Sequence, residues 1–370
     1  MPTARRGTTS RRSLARQRLR ELLSIGDLVD ADGRAIVRDV LFEADIRRFA
    51  PDGRGTVDPR DGVRIVFAEG RARRPRTGPP PTPPEAPCPV CEGRLTRIVD
   101  AAPLPSGGVT FVNKNLYPIV YPRAGAFASG VHLLQWTSLR HDEDLDSMDD
   151  RDVAAVFARL AALERKLLHL HGNPFSFAHG GRCRDGAHHG YFLVIKNRGG
   201  LVGGSVAHGH QQIVLTETLP GRLADDLRFH RETGRSVVDY LLETTPRPLR
   251  VGRFRGGVTA LVPPFMRRPL HSMLVVGDSS RRSLHDLSPA EIRGLGEGTR
   301  GLLGAVKRLM PSRFGKPFTI NMIVHNGPAP GVYFEFFPYT QEMGGYEHLG
   351  LFVCQGTPDE SARLLRGALR

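Results

Sequence analysis

The 370-residue sequence has only four cysteines and no long apolar run. Four cysteines are too few for the disulfide framework that stabilises many small secreted proteins. A membrane-spanning helix needs about 18 consecutive apolar residues, and a signal peptide needs an apolar core near the N-terminus. The sequence has neither feature, and we therefore expect a cytoplasmic protein that does not bind membranes.

Acidic residues are absent from the first 20 positions, which contain seven arginines. These arginines supply about half of the net charge of +14. Such a composition predicts that residues 1–50 form a basic, disordered N-terminal extension, although an organelle transit peptide has a similar composition. The remaining positive charge suits anionic small substrates as well as it suits RNA. We expect residues 1–20 to be dispensable for activity.

A glycine-rich stretch between two apolar runs carries the strongest pattern, YFLVIKNRGGLVGGSVAHGHQQIVLTE at 191–217. If the second run is a strand, His208, His210 and Gln212 share one face with a spacing of about 6.6 Å. Glycines leave backbone N–H groups accessible to a phosphate, and a neutral imidazole is a good nucleophile toward phosphorus. The pattern therefore predicts a phosphate site with a histidine nucleophile.

Cys88 and Cys91 form a C-P-V-C pair after a proline-rich connector at 75–87. Two cysteines at this spacing are half of a tetrahedral zinc site, which needs two further nitrogen or sulfur ligands. The sequence has no second C-x-x-C, so histidines must complete the site. A pair of reduced thiols is the alternative.

The order of predicted elements repeats along the chain. Strand-like segments and an amphipathic helix at 151–169 precede the glycine-rich stretch, and a helix is predicted at 221–243 after it. A similar order of strands and a helix begins at Val258, and Phe318–Val324 corresponds to the run that begins at Phe192. We therefore expect a duplicated α+β unit with one copy keeping the histidines.

Several separate blocks from Asp58 to the C-terminus resemble the galactose-1-phosphate uridylyltransferase family of the histidine-triad superfamily. The blocks are Asp58-Pro59 with Gly62, Arg71 to Pro75, Cys88 with Cys91, Asn113-Lys114 with Tyr117-Pro118, Gly130-Val131-His132 with His141, Asn197 to Gln212, Gly345-Tyr346-Glu347 and Pro358 to Ala362. The block from Asn197 keeps the family spacing N-x-G-x-x-x-G-x-S-x-x-H-P-H-x-Q throughout, with Gly209 in place of the proline. The resemblance implies two tandem histidine-triad-like units, at 51–225 and 226–370, each an antiparallel sheet with packed helices, related by a pseudo-twofold repeat.

The resemblance also implies roles for individual residues. His210 would attack the α-phosphate of a nucleotide sugar and form a nucleotidyl-histidine, which a second sugar 1-phosphate would then resolve. Gln212, Ser205 and loop amides near Gly203 would hold the phosphoryl oxygens. The other implied contacts are Asn113 and Asn197 to the nucleoside, Arg71 and Arg74 near phosphate, Glu347 to the acceptor sugar, and Cys88, Cys91, His141 and His208 to zinc. A homodimer is implied as well.

Some family positions differ in this chain. The family's second metal site uses a glutamate and three histidines, but here only His325 matches plainly. Asp226 and Glu335 are the possible stand-ins, and Tyr333 replaces a ligand. Lys114 occupies a position near the base where a carboxylate often stands, and Gln341 replaces a lysine that binds the acceptor phosphate. These departures fall where the base and the acceptor would be selected.

These residues are compatible with three functions. The first is transfer of a nucleoside monophosphate, preferably UMP, between sugar 1-phosphates by double displacement. The second is the same histidine chemistry in an ADP-sugar or dinucleoside polyphosphate phosphorylase or adenylyltransferase. The third is a non-catalytic nucleotide or RNA binder, which would not need His210, Gln212, Ser205 and a complete zinc quartet.

Overall fold

The computed structural model of the protein describes residues 12–41, 43–74, 87–123, 125–168 and 190–369. Residues 1–11 of the basic extension and the connector at 75–86 lie outside the described residues. Within the described part the strands are β1 (Gly55–Val57), β2 (Arg64–Val66), β3 (Ile98–Pro103), β4 (Val109–Lys114), β5 (Gly130–Trp136), β6 (Tyr191–Arg198), β7 (His210–Thr216), β8 (Arg250–Arg253), β9 (Thr259–Leu261), β10 (Ser272–Val275), β11 (Ile320–His325) and β12 (Tyr333–Pro338).

Ten of these strands form one antiparallel sheet in the order β3-β4-β5-β7-β6-β11-β12-β10-β9-β8. Read from either edge to the centre, the strands of each half follow the same chain order: first, second, third, fifth and fourth. The halves meet where β6 pairs with β11, with Asn197 opposite Asn321. The expected α+β class with a large antiparallel sheet is confirmed, and the expected strands around 191–195 and 213–215 are parts of β6 and β7.

Helices pack on both faces of this sheet. In the described residues the α-helices are α1 (Arg16–Leu22), α2 (Gly33–Leu41), α3 (Ala44–Arg47), α4 (Asp150–Leu168), α5 (Gly221–Thr233), α6 (Val237–Thr244), α7 (Pro289–Phe314), α8 (Gly345–His348) and α9 (Pro358–Leu369). Of these, α4 and α7 lie on one face, and α1 and α6 lie on the other. Phe157 of α4 packs edge-to-face on Phe334 of β12 with ring centroids 5.2 Å apart. None of these helices is long and apolar enough to cross a membrane.

The helix expected at 221–243 is two helices. Gly234 ends α5 with φ of 70°, a left-handed conformation that glycine adopts at little cost. The Ser236 side chain then accepts a hydrogen bond from the backbone N–H of Asp239 and begins α6. The chain therefore turns at 234–236, which the apolar spacing alone did not indicate.

The expectation that residues 1–50 are a disordered extension is wrong for the described part of this segment. Leu14, Leu19 and Leu22 are buried in a small apolar cluster with Trp136, and Leu28 and Ile36 are buried in the main core. The arginines between them hid this apolar pattern, because a charged side chain can stay in solvent beside a buried leucine. Residues 12–50 are thus part of the folded domain.

We expect Leu19→Ala to lower the free energy of unfolding by about 2–5 kcal/mol, since the leucine is 6% exposed. Arg20→Ala on the same helix is the matched control and should change stability by less than about 0.5 kcal/mol. Urea denaturation of both variants measures the difference. Because this segment is part of the core, deletion of residues 1–20 is also expected to destabilise the protein. Equal stability of Leu19→Ala and Arg20→Ala would mean that the segment does not contribute to the core.

Candidate functional site

Six of the predicted site residues meet around one cavity of about 440 Å³. The cavity lies on the sheet face opposite α4, because Gln211 bonds Gln135 beneath α4 and its neighbours in β7 point the other way. The predicted residues that line the cavity are Arg74, Asn113, Gly203, Ser205, His210 and Gln212. Further walls come from Arg48, Phe49, Leu95, Thr96, Tyr117 and Trp136.

His210 begins β7 and is 9% exposed. Its Nδ1 lies 2.8 Å from the carbonyl oxygen of His208, which can only accept a hydrogen bond. The ring proton is therefore on Nδ1, and Nε2 carries the lone pair. Burial lowers the pKa of His210 to about 4, so the imidazole is neutral at pH 7. Trp136, whose ring centroid is 4.8 Å away, packs against the ring and limits its rotation.

His132 orients the amide of Gln212, a role that the sequence did not reveal. The backbone N–H of Ile119 donates to His132 Nδ1 at 3.1 Å, so the ring proton is on Nε2. This N–H donates to Gln212 Oε1 at 3.1 Å. Burial and the nearby Arg71 lower the pKa of His132 to about 3, which keeps the ring neutral. The amide N–H₂ of Gln212 is thereby turned away from His132 and is the available donor.

Asn197 and Asn321 together support the glycine loop. Asn197 Oδ1 accepts a hydrogen bond from Asn321 Nδ2 at 2.7 Å, and the same Asn321 amide donates to Val202 O in the loop at 3.3 Å. Gly203 has φ of 86°, and a Cβ at Gly204 would lie 2.8 Å from the Asn197 carbonyl oxygen. Asn197 is not among the residues that line the cavity. The structure therefore gives Asn197 a loop-supporting position, and the nucleoside contact implied by the resemblance stays a prediction.

The two arginines predicted to lie near phosphate, Arg71 and Arg74, are in different environments. Arg71 donates to the carbonyl oxygen of Tyr117 at 2.7 Å and does not line the cavity. Burial, and then the charge of Arg74, lower its pKa to about 10. Arg74 lines the cavity and donates to Gly203 O at 3.5 Å. Of the pair, Arg74 is the one placed to meet a phosphate.

Asn113 lines the cavity, but both ends of its amide are already bonded. Its Nδ2 donates to Thr96 Oγ1, and its Oδ1 accepts from Trp136 Nε1, each at 2.8 Å. Asn113 thus fixes Trp136, which in turn packs on His210.

Four predicted ligands form a group suited to a metal ion. The ligand atoms of Cys88, Cys91, His141 and His208 all lie within 4.8 Å of one another. His208 Nδ1 is 3.8 and 3.7 Å from the two sulfurs, close to the roughly 3.6 Å that tetrahedral zinc bond lengths imply. Burial and the adjacent Cys88 raise the pKa of Cys91 to about 12, so a bound cation is needed to make this thiol a thiolate. These residues fit zinc.

A hydrogen bond outside this group fixes the tautomer of one ligand. His208 Nε2 lies 2.9 Å from the carbonyl oxygen of Ser138 and donates its proton there. The Nδ1 lone pair then points at the sulfurs. Partners of this kind orient histidine ligands at many zinc sites.

The residues expected at a second metal site are bonded to one another. His325 lies between two carboxylates, with Nε2 3.0 Å from Glu335 and Nδ1 3.2 Å from Asp226. Burial alone would lower the pKa of His325, but the hydrogen bonds to both carboxylates raise it above its usual value. A ring that donates from both nitrogens has no lone pair for a metal.

His271 and Tyr333 complete this buried network. His271 Nδ1 accepts from the backbone N–H of Arg267 at 3.3 Å, and its Nε2 donates to Glu335 at 3.0 Å. Tyr333 donates its hydroxyl to Asp226, whose oxygens lie 2.9 and 3.0 Å away. All three ring or hydroxyl groups therefore act as donors to carboxylates. The donor set does not fit a second metal ion.

We expect Glu335→Gln to leave the metal content unchanged and to lower the free energy of unfolding by about 3–5 kcal/mol, because it removes the buried carboxylate to which both His271 and His325 donate. Elemental analysis and denaturation measure the two effects. Glu342→Gln, at an exposed ion pair with Lys316, is the matched control and should change neither. Loss of one metal equivalent in Glu335→Gln would contradict the metal-free network.

Three residues expected near the base or the acceptor are not in the cavity wall. Lys114 is 2% exposed and forms buried ion pairs with Asp39, at 2.9 Å, and with Glu43. Gln341 bonds the backbone of the segment after α8, and Glu347 accepts from the N–H of the residue before that helix. Lys114 therefore attaches the N-terminal helices to β4 and does not select the base, contrary to expectation.

Comparison with known proteins agrees with the motifs. No protein-family model matches the chain. A galactose-1-phosphate uridylyltransferase of Cryptococcus neoformans var. neoformans serotype D is 24% identical over 350 residues, covering 84% of this chain and 89% of that protein. A solved uridylyltransferase structure has a TM-score of 0.65 and 22% identity, covering 85% of this chain and 98% of that one. An ADP-glucose phosphorylase from Arabidopsis thaliana has a TM-score of 0.61 and 18% identity over 85% of this chain and 98% of its own. Over most of its length, the chain resembles the galactose-1-phosphate uridylyltransferase family, as its motifs indicated.

Proposed function

We propose that the protein is a nucleotidyltransferase that moves a nucleoside monophosphate, preferably UMP, between sugar 1-phosphates through a covalent intermediate on His210. One observation carries the proposal: a neutral, hydrogen-bonded imidazole presents Nε2 beside the Gln212 amide and the glycine loop in one cavity. The names of the relatives, a uridylyltransferase and an ADP-glucose phosphorylase, support this class of enzyme.

The chemistry follows from the hydrogen bonds of the site. Nε2 of His210 attacks the α-phosphorus, the bond from phosphorus to the sugar 1-phosphate oxygen breaks, and that phosphate leaves with the bonding pair. The hydrogen bond from Nδ1 to His208 O stabilises the positive charge that develops on the ring. Gln212, Ser205 and Arg74 would hold the phosphoryl oxygens. A phosphate oxygen of the acceptor then attacks phosphorus and frees His210.

The nucleoside end of the cavity has aromatic and aliphatic walls. Phe49 and Tyr117 have ring centroids 4.6 Å apart, and Leu95 and Val206 line the same space. These side chains can pack against a flat base of either size. The second candidate, transfer of AMP from an ADP-sugar, is favoured by the fold likeness to an ADP-glucose phosphorylase. Dinucleoside polyphosphates would be bound by the same groups.

Zinc would be held by Cys88, Cys91, His141 and His208. Its chemistry there is structural, since four protein ligands leave no open position for substrate. By fixing His208, the metal would order the beginning of the strand that carries His210 two residues later. The homodimer and the cytoplasmic location implied by the sequence stay predictions.

We also infer that the two halves of the sheet are copies of one unit. His210 begins β7 and Tyr333 begins β12, and each pairs with the last residue of the neighbouring strand, β5 or β10. Glu335 then lies where Gln212 lies in the first half. The second unit has therefore lost the nucleophile. The boundary expected at 225/226 falls inside α5, so the loop at 217–220 is the better division.

Incubation with single nucleotide sugars tests the proposal. The protein should gain the mass of one nucleoside monophosphate with UDP-glucose or, for the second candidate, with ADP-glucose. The adduct should be acid-labile, as a phosphorus–nitrogen bond is. Absence of an adduct with every nucleotide sugar and dinucleoside polyphosphate tried would exclude the transferase function. The base that labels best identifies the donor.

We expect the rate of adduct formation to change by less than about twofold between pH 8 and pH 5.5. With a pKa of about 4, His210 stays neutral over this range, whereas an imidazole of ordinary pKa, about 6.5, would be about 90% protonated at pH 5.5. Rapid-quench measurements with a nucleotide sugar, whose diphosphate does not titrate here, give the rate. A tenfold loss by pH 5.5 would show an ordinary imidazole.

A further inference from the structure

Every backbone carbonyl of residues 207–210, the segment that carries His208 and His210, accepts a hydrogen bond. Two of the donors are side-chain cations of β6, and this is unusual because carbonyls at the beginning of a strand more often bond backbone N–H groups or water. The bonds are Arg198 Nη1 to Ala207 O at 2.7 Å, His210 Nδ1 to His208 O at 2.8 Å, Thr137 N and Oγ1 to Gly209 O at 3.0 and 3.1 Å, and Lys196 Nζ to His210 O at 3.0 Å.

Both cations converge on Asp144. Lys196 Nζ lies 2.6 Å from Asp144 Oδ1, and each side chain is 3% exposed. Arg198 Nη1 lies 3.3 Å from the other carboxylate oxygen. Burial alone would raise the pKa of Asp144, but the two cations outweigh burial and lower it. A buried ion pair of this kind holds its members in one geometry, since removal of either partner leaves an unpaired charge.

Gly209 closes the arrangement. A Cβ at this position would lie 2.7 Å from Asp144 Cγ, from Glu143 O and from Thr137 Oγ1. The close approach of Asp144 therefore requires glycine, where the resembling family has proline. The proline ring restricts the backbone φ angle, whereas glycine leaves it free. In this chain, contacts from other residues must therefore hold the backbone of residues 207–210.

We propose that Asp144, Lys196 and Arg198 form a carbonyl clamp that fixes the backbone of residues 207–210 and so the direction of His210 Nε2. The clamp residues do not line the cavity, and we therefore treat them as positioning residues. Lys196 holds the carbonyl of the nucleophile itself, and Arg198 holds the carbonyl before His208. The kinetic part of this inference rests on the proposed function, while the structural part does not.

Lys196→Met and Arg198→Leu test the clamp. Arg198→Leu is included because Arg198 is 29% exposed, so its replacement should disturb folding less than that of buried Lys196. The matched control is Asp100→Asn, which breaks a different buried ion pair, with Arg159, away from the cavity. Single-turnover adduct formation at saturating nucleotide sugar should slow by about 100-fold in Lys196→Met with KM within about threefold, since a small displacement of a reacting atom has such an effect. Lys196→Arg should recover most of the rate, and Asp100→Asn should react as the unmodified protein does.

Hydrogen–deuterium exchange of the peptide spanning 207–211 is the readout that needs no substrate. Exchange should be at least about tenfold faster in Lys196→Met and Arg198→Leu, and unchanged in Asp100→Asn. Faster exchange without any adduct in the unmodified protein would support the clamp and exclude the proposed function. Two results would overturn the clamp. One is normal exchange together with a normal rate of adduct formation in folded Lys196→Met and Arg198→Leu. The other is a slower rate of adduct formation that Asp100→Asn shares.

Discussion

His210→Asn is expected to form no nucleotidyl adduct and to reduce transfer by more than about 10⁴-fold. The variant keeps a side-chain donor near the carbonyl oxygen of His208, but an amide nitrogen has no lone pair basic enough to attack phosphorus. Removal of a nucleophile in enzymes with covalent intermediates has effects of this size or larger, because the remaining binding groups cannot replace the lost step. Mass spectrometry after incubation with the nucleotide sugar, together with a steady-state assay, measures both effects.

The control for this variant is His348→Asn in α8, an exposed histidine away from the cavity wall. It should form the adduct at the normal rate. Thermal unfolding should confirm that both variants are folded, since His210 is buried. If His210→Asn still gained a nucleotidyl group, another side chain would be the nucleophile, and His210 Nε2 would not take part in catalysis.

Cys88→Ser is expected to lower the zinc content from about one per chain to below about 0.1 and to destabilise the first half of the sheet. A structural zinc site contributes much of its binding free energy, about 10–16 kcal/mol in small zinc domains at pH 7, to folding. Cys88 is 6% exposed and lies in the same apolar cluster as Leu19 and Trp136. Loss of the metal should therefore disturb the wall that packs on His210, and transfer should fall with it. Elemental analysis and thermal unfolding give the two values.

Cys354→Ser is the matched control, because Cys354 is partly buried and is not part of the four-residue metal group. It should keep the zinc and the melting temperature. A purified protein that is free of metal and fully stable, or a Cys88→Ser variant that keeps its zinc, would contradict the site. Together with Glu335→Gln, these measurements distinguish one metal per chain from two.

Part of the site was predictable because its signals are local. A period of two places His208, His210 and Gln212 on one face of a strand, and the C-x-x-C spacing selects metal chemistry. The structure brings His208 and His141 to the cysteines as expected. The glycine loop is in place, and the amide of Asn197 bonds Asn321 in the other half of the sheet, a contact that the motif did not indicate.

By itself, then, the sequence determined the α+β class and indicated the proposed nucleophile and cysteine ligands, since these depend on residue type and short spacing. The two proposed histidine ligands, 50 and 117 positions from Cys91, came from the family resemblance. Only the tertiary structure decided which ring nitrogen of His210 is free, that His132 orients Gln212 from 80 positions away, and that Lys114 joins Asp39 from 75 positions away. It also placed the described part of the expected N-terminal tail in the folded core, with Arg48 and Phe49 in the cavity wall. Hydrogen bonds and ion pairs between distant segments leave no periodic pattern, because each needs only one residue at each end.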